Sequence, residues 1–321
     1  MSFSLPGTQV RRVIRWIAVL WILPGLVFSV SAAQTSLVVG DQARILRSLM
    51  EASGVLQDLP YSIHWANFQG AAPLFEAQRA DATDTSYAGD LPVLQALAGG
   101  VNLKIILTEV STGRGNGIVV PADSPLKTVN DLRGQQVVVS SAAGSISQNM
   151  LWLALEKAGL SRQDTRIRFV LPVDASAAFN SGQINAWAVF DPYLAVAQQN
   201  GGRLITDASH LTTSFSFLTA TTASLADPAK RQAIQDFAGR VRKARLWAVS
   251  HPQQYAASYA ALSQLPLSTA RLIISRGSTD SRNVTPGDLS NLQSTADRFY
   301  HYGILPQKIN VSEYAITGFL N

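Results

Sequence analysis

Residues 172–193, PVDASAAFNSGQINAWAVFDPY, constrain the fold more tightly than any other stretch of the chain. Residues 186–190 are an unbroken apolar run, the pattern of a strand covered on both faces. Ahead of it, Asp174 is placed to cap a short helix over residues 175–179, and Gly182 falls where a left-handed C-terminal cap belongs. Behind it, Asp191-Pro192 reads as an N-cap followed by proline at the first helical position. Helix, buried strand, helix is the rhythm of an open α/β sheet. Such sheets bind ligands where strands end and helices begin, because free N–H groups gather there.

The same rhythm runs through the rest of the chain. Residues 36–39 form an apolar strand, and Ile45, Leu46, Leu49 and Met50 follow at helical spacing up to Gly54. Tyr61, Ile63 and Trp65 alternate with polar residues as a second strand, on whose polar face His64 stands alone. The turn Gly70-Ala71-Ala72-Pro73 opens a helix. Residues 83–87 lead into Gly89-Asp90 and another helix over residues 91–98, and residues 101–107 make a further strand. The glycine-rich segment 113–117 breaks the rhythm and marks a first crossing between domains, after which residues 118–120 and 137–139 start a second α/β unit. The polar segment 212–217 reads as the return crossing. From Asp227-Pro228 the chain is mostly helical. There Arg240, Arg242, Lys243 and Arg245 crowd round the apolar face of Ile234, Phe237, Val241 and Ala244, as a solvated surface or a docking patch.

The first 33 residues hold Arg11, Arg12 and Arg15 but no acid, then an apolar run over residues 16–30 and small residues at 31–33. This pattern predicts an export signal cleaved after Ala33 or Ala32, through general secretion or a twin-arginine route. An uncleaved anchor is the alternative, disfavoured by Pro24 and Gly25 within a short run. Three of the 26 basic residues lie in this leader, leaving 23 against 21 acidic ones, too even a balance for a nucleic-acid binder. No cysteine is present, which removes disulfides, thiol nucleophiles and lipidation of an N-terminal cysteine. An exported protein without an anchor is retained by the cell only between two membranes, so the expected home is a Gram-negative periplasm.

Six fragments in register, residues 71–77, 88–96, 123–139, 155–160, 172–193 and 292–312, give the chain a resemblance to periplasmic substrate-binding proteins for aliphatic sulfonates, taurine and related molecules. The resemblance implies a two-lobed α/β fold of the type II periplasmic binding protein, each lobe a mostly parallel sheet flanked by helices. It places lobe I at residues 34–112 and 221–321 and lobe II at 113–220. It also implies a permease and ATPase complex at the inner membrane as partner, a monomeric receptor, and no cofactor or metal. Departures cluster near the expected cleft. Sulfonate binders carry a Gly-Tyr-Gln-Lys-like turn where this chain reads Gly40-Asp41-Gln42-Ala43-Arg44, and Asp81, Thr83 and Thr85 stand where relatives have a glycine and apolar residues.

A sulfonate stays ionised at neutral pH, so its site needs donors. Helix starts at Gly70-Ala71, at Gly89 and at Gly144-Ser145-Ile146-Ser147 supply N–H groups and a favourable dipole worth roughly 0.3–1 kcal/mol each. Ser145 also suits a plain N-cap. Gln42 and Arg44 lie just past the first strand, and Arg44 is either a bidentate anion clamp or a solvent-facing arginine. Asp90 and Asp191 are helix caps or, turned into the cleft, partners for a ligand amine. Tyr193 and Phe215 are candidates to cover an apolar tail at the rim. The expected function is that of an importer's solute receptor. Alternatives are a binder of nitrate or of a thiamine or flavin precursor, or a sensor-coupled module. A desulfinase-like enzyme is disfavoured, because that chemistry uses a cysteine.

Overall fold

The computed structural model describes residues 34–211 and 214–320. The expected leader, residues 1–33, lies outside them. The chain opens with β1 (Ser36–Gln42), α1 (Ile45–Ala52), β2 (Ser62–Phe68), α2 (Ala71–Arg79), β3 (Thr85–Gly89), α3 (Asp90–Ala98) and β4 (Leu103–Ser111). It crosses into β5 (Asn116–Val120), β6 (Gln136–Val139), α4 (Ile146–Lys157), β7 (Arg166–Phe169), α5 (Pro172–Asn180), β8 (Trp187–Phe190), α6 (Tyr193–Gln199) and β9 (Arg203–Asp207). It returns through β10 (Ser214–Thr221), α7 (Thr222–Ala226), α8 (Pro228–Ser250), α9 (Pro252–Ser263), α10 (Leu267–Ile274), β11 (Ser278–Arg282) and α11 (Pro286–His301).

These strands build two separate sheets, in the orders β11-β4-β10-β3-β1-β2 and β7-β6-β8-β5-β9. In the first, β1 runs parallel to β2 and β3, whereas β10 is antiparallel to β3 and β4, and β11 is antiparallel to β4. In the second, β6 is parallel to β7 and β8, and β5 is antiparallel to β8 and β9. The reversed strands include the two that follow the crossings, β5 and β10. Because β10 pairs within the first sheet, that sheet takes the chain back at Ser214. β10 pairs with β4 from Ser214 and with β3 from Ser216.

Each sheet buries apolar side chains on both faces. Leu37, Leu49, Phe237 and Tyr259 belong to one core of the first sheet, and Leu74, Leu91, Phe217 and Phe299 to the other. The second sheet is likewise packed by Val137, Met150 and Leu155 in one cluster and by Phe179, Trp187 and Val189 in another. The apolar run of the constraining stretch becomes β8, with Trp187, Ala188 and Val189 fully buried. Trp187 Nε1 donates to Ser140 Oγ at 2.9 Å, which satisfies the one polar atom of that side chain. Gly182 has φ +74°, as a left-handed cap requires. Two details differ from expectation. α5 begins at Pro172, so Asp174 lies in its first turn rather than at the cap. α6 begins at Tyr193, one residue past Pro192, yet Asp191 Oδ1 still accepts from Ala195 N at 3.0 Å.

The departures near the cleft serve the fold. Asp41 is buried, and its carboxylate accepts from the backbone N–H groups of Gln42, Leu46 and Arg47, covering the start of α1 in place of a conventional cap. Asp81 has φ +52°, a left-handed conformation that glycine adopts freely and aspartate tolerates. Thr85 Oγ1 donates to Thr219 O, joining β3 to β10.

Candidate functional site: a cavity between two sheets

Between the two halves lies a cavity of about 530 Å³. Its walls include the N-terminal ends of α2, α3 and α4, through Ala71, Ala72, Gly89, Asp90, Gly144 and Ser145. Residues from the two halves meet closely around it. A side chain at Gly89 would stand 2.5 Å from Ile146 Cγ2, one at Gly70 3.2 Å from Ser141 Oγ, and one at Gly144 1.9 Å from Gln95. Glycine at these three places lets backbone from one half approach the other.

Among the sequence candidates, Gln42, Ala71, Gly89, Asp90, Gly144, Ser145, Asp191 and Phe215 line the cavity. Gln42 Nε2 donates to Tyr87 O at 2.8 Å, which fixes its amide against β3. Ser145 acts as the N-cap of α4, its Oγ accepting from Gln148 N at 3.3 Å, while Gly144 N donates to Gln148 Oε1. Phe215 stacks on Phe217 with ring centroids 6.0 Å apart.

Four candidates stand elsewhere. Arg44, read as a clamp or as a solvent-facing arginine, is exposed and left-handed at φ +60°, and its Nη1 donates to Leu262 O at 2.7 Å, outside the cavity wall. Ser147 is fully buried, with Oγ 3.3 Å from Asn116 Oδ1. Gly70 caps α2 from behind the wall. Tyr193 packs edge-on against Phe190 at 6.1 Å, and it is Phe190 that faces the cavity.

Both acidic candidates are buried in the wall. Burial lifts the Asp90 carboxyl to about 6, against the pull of the Leu91 N–H, which it accepts at 2.7 Å, and of the Arg298 charge. Burial likewise lifts Asp191 to about 6, although Arg276 Nη1 lies 3.2 and 3.4 Å from its two oxygens. Arg276 follows α10 and spends its other terminal nitrogen on Gln198 Oε1, so this ion pair ties the two halves together. A side chain at Gly115 would reach within 3.1 Å of Asp191 Oδ2, so glycine in the first crossing gives the carboxylate its space.

Sequence reasoning missed a second arginine. Arg245 was expected among the solvated cations of α8, but it is only 8% exposed and lines the cavity. Its Nε donates to Glu109 Oε1 at 2.9 Å, and Tyr87 Oη donates to Glu109 Oε2 at 2.7 Å. Burial opposes the Arg245 charge, and the adjacent Glu109 overrides it, so its pKa is raised. The signal was present in the spacing: Phe237, Val241 and Arg245 repeat every four residues, which puts Arg245 on the buried stripe.

Two α/β halves enclosing a cavity edged by helix N-termini define a class, the solute-binding proteins that hold a small molecule between lobes. A family model described as ABC transporter, phosphonate, periplasmic substrate-binding protein matches residues 52–238. A relative from Escherichia coli K12 described as an aliphatic sulfonates-binding protein is 30% identical over 310 residues, spanning 94% of this chain and 96% of its own. The alkanesulfonate-binding protein of Xanthomonas axonopodis pv. citri, solved bound to MOPS, superposes with a TM-score of 0.80 at 28% identity, covering 89% of this chain and 99% of that one. A desulfurization enzyme, DszB, shares the fold alone, with a TM-score of 0.65 at 16% identity over 90% of this chain and 98% of that one. The chain belongs to the periplasmic substrate-binding proteins of ABC importers, sulfonate-binding branch.

Proposed function

We propose that the protein captures an organic sulfonate in the cavity and delivers it to an inner-membrane permease and its ATPase. The observation that carries this reading is the meeting of three helix N-termini on one cavity, since N–H groups and helix dipoles bind an anion that never takes up a proton. Ala71, Gly89 and the Ser145 hydroxyl are the donors assigned to the sulfonate, with Gly144 allowing close approach and Phe215 and Phe190 against the carbon skeleton. Residues 34–112 with 214–320 form lobe I, and residues 113–211 belong to lobe II. Export by the N-terminal leader puts the mature receptor in the periplasm as a monomer, with binding and not catalysis as its task.

Titration calorimetry of the purified protein against alkanesulfonates, sulfate, nitrate and thiamine tests the reading. Micromolar or tighter binding of an alkanesulfonate, with the others silent, supports it; binding of nitrate or thiamine alone sinks it. One observation favours a second ligand class. Asp90 offers a buried acceptor that a sulfonate cannot use and a monoprotonated phosphonate can. Methylphosphonate therefore belongs in the same titration, and a preference for it over methanesulfonate would transfer the site to phosphonates.

A further inference from the structure

Three arginines line the cavity, and they differ in what they leave free. Arg276 has both terminal nitrogens engaged by Asp191 and Gln198. Arg79 stands 43% exposed, bonded to Gly99 O and paired with Glu76. Arg245 is 8% exposed, and only its Nε is used, by Glu109. Its Nη1 and Nη2 make no hydrogen bond among the described residues. Nor are they among the sealed, unpartnered nitrogens, which are those of Gln78, Trp152, Arg203 and Arg298. The space they meet is the cavity that Arg245 lines.

The fork is also held in place. Glu109 is fixed by Tyr87 Oη on one oxygen and by Arg245 Nε on the other, and the guanidinium lies 5.5 Å from the centre of the Tyr87 ring. Two parallel N–H donors with a fixed plane match a carboxylate, which accepts both at once. The location adds a length. Gly89, Ser216 and Glu109 are register partners across β3, β10 and β4, so two inter-strand steps, about 10 Å, separate the start of α3 from the strand that carries Glu109.

We infer that Arg245 is a second anchor in the cavity and that the ligand is a two-ended anion, a sulfonate carrying a carboxylate at the far end of its carbon chain. This rests on the organosulfonate reading above. One anionic end meets the helix N-termini and the other meets Arg245, with the methylenes between them along the apolar wall. A plain alkanesulfonate would instead lay a methyl group against the guanidinium and strip its water without replacing the lost hydrogen bonds.

The test measures dissociation constants for ω-carboxyalkanesulfonates of two to six methylenes and for alkanesulfonates of matched length. Wild-type protein is expected to bind one of the carboxylated compounds at least tenfold more tightly than its match. That preference is expected to fall below threefold in Arg245→Lys, which keeps a cation for Glu109 but loses the planar fork. It is expected to fall equally in the double variant Arg245→Gln/Glu109→Gln, which removes both charges together. Equal affinities at every length, or a preference that survives in both variants, overturns the inference while leaving a sulfonate receptor intact. Failure of both series to bind overturns the inference together with the reading beneath it.

Discussion

Two buried arginine–carboxylate pairs face the same cavity and are built for different work. Arg245–Glu109 lies within one lobe, its carboxylate held by Tyr87, and among the described residues both terminal nitrogens of Arg245 make no hydrogen bond. Arg276–Asp191 bridges the lobes beside the first crossing, and Gln198 takes the remaining terminal nitrogen. Burial lifts the Asp191 carboxyl to about 6. The contrast teaches that burial and charge do not by themselves mark a binding residue; what matters is the hydrogen-bonding capacity left over.

Breaking the first pair should have the largest effect. Arg245→Met strands Glu109 as a buried charge and should cost about 3–5 kcal/mol of unfolding free energy in urea, most of it recovered by adding Glu109→Gln. A loss under about 0.5 kcal/mol, typical of a surface arginine, would erase the distinction from the solvated cations of α8. Arg276→Gln should cost less, about 2 kcal/mol at pH 8, because Asp191 can escape its stranded charge by taking up a proton. Without the guanidinium the Asp191 pKa rises further above its unfolded value. The folded variant then holds the proton more tightly, and its stability falls as pH rises from about 4 to above 6. The deficit relative to wild type should therefore shrink at pH 5, and a constant deficit would contradict the assignment.

Asp90 sharpens the comparison, being raised to about 6 by burial against the pull of the Leu91 N–H and of the Arg298 charge, with no ion pair to hold its carboxylate among the described residues. Its contribution to stability is greatest below pH 4 and declines as pH climbs through 6. Asp90→Asn should accordingly raise unfolding free energy by about 1–2 kcal/mol at pH 8 and change it little at pH 4, read by thermal unfolding at both values. The smallest effect belongs to the wall opposite. Ser145→Ala removes the cap of α4 and should cost about 1 kcal/mol in stability, with sulfonate affinity falling as well if Ser145 also touches the ligand.

Much of this was legible in the sequence. The apolar run of β8, the left-handed Gly182, the crossing at residues 113–117 and the helix starts at Ala71, Gly89 and Ser145 follow from local patterns, and local patterns are what a sequence displays. β11 was not legible. Its residues Ser278–Arg282 carry no apolar alternation, and only pairing with β4 makes them a strand. The partners of Arg44 and Arg245 were not legible for a related reason. Which carbonyl or carboxylate an arginine reaches depends on distant parts of the chain, Leu262 in one case and Glu109 in the other. Asp41 looked like a change in the cleft and proved to be a cap, because its partners are the N–H groups of the next turn.

The strand order carries a consequence for how the molecule assembles. The five-stranded sheet draws on one uninterrupted run, residues 116–207, and is complete when that run has emerged. The six-stranded sheet is not, since β4 is flanked by β10 and β11 and touches none of β1, β2 or β3. A strand that buries Leu103, Ile105, Ile106 and Leu107 in the finished protein must wait with both edges bare while the second lobe is threaded through after it. The lobe begun first is thus finished last, and its longest exposure to aggregation and proteolysis falls on β4.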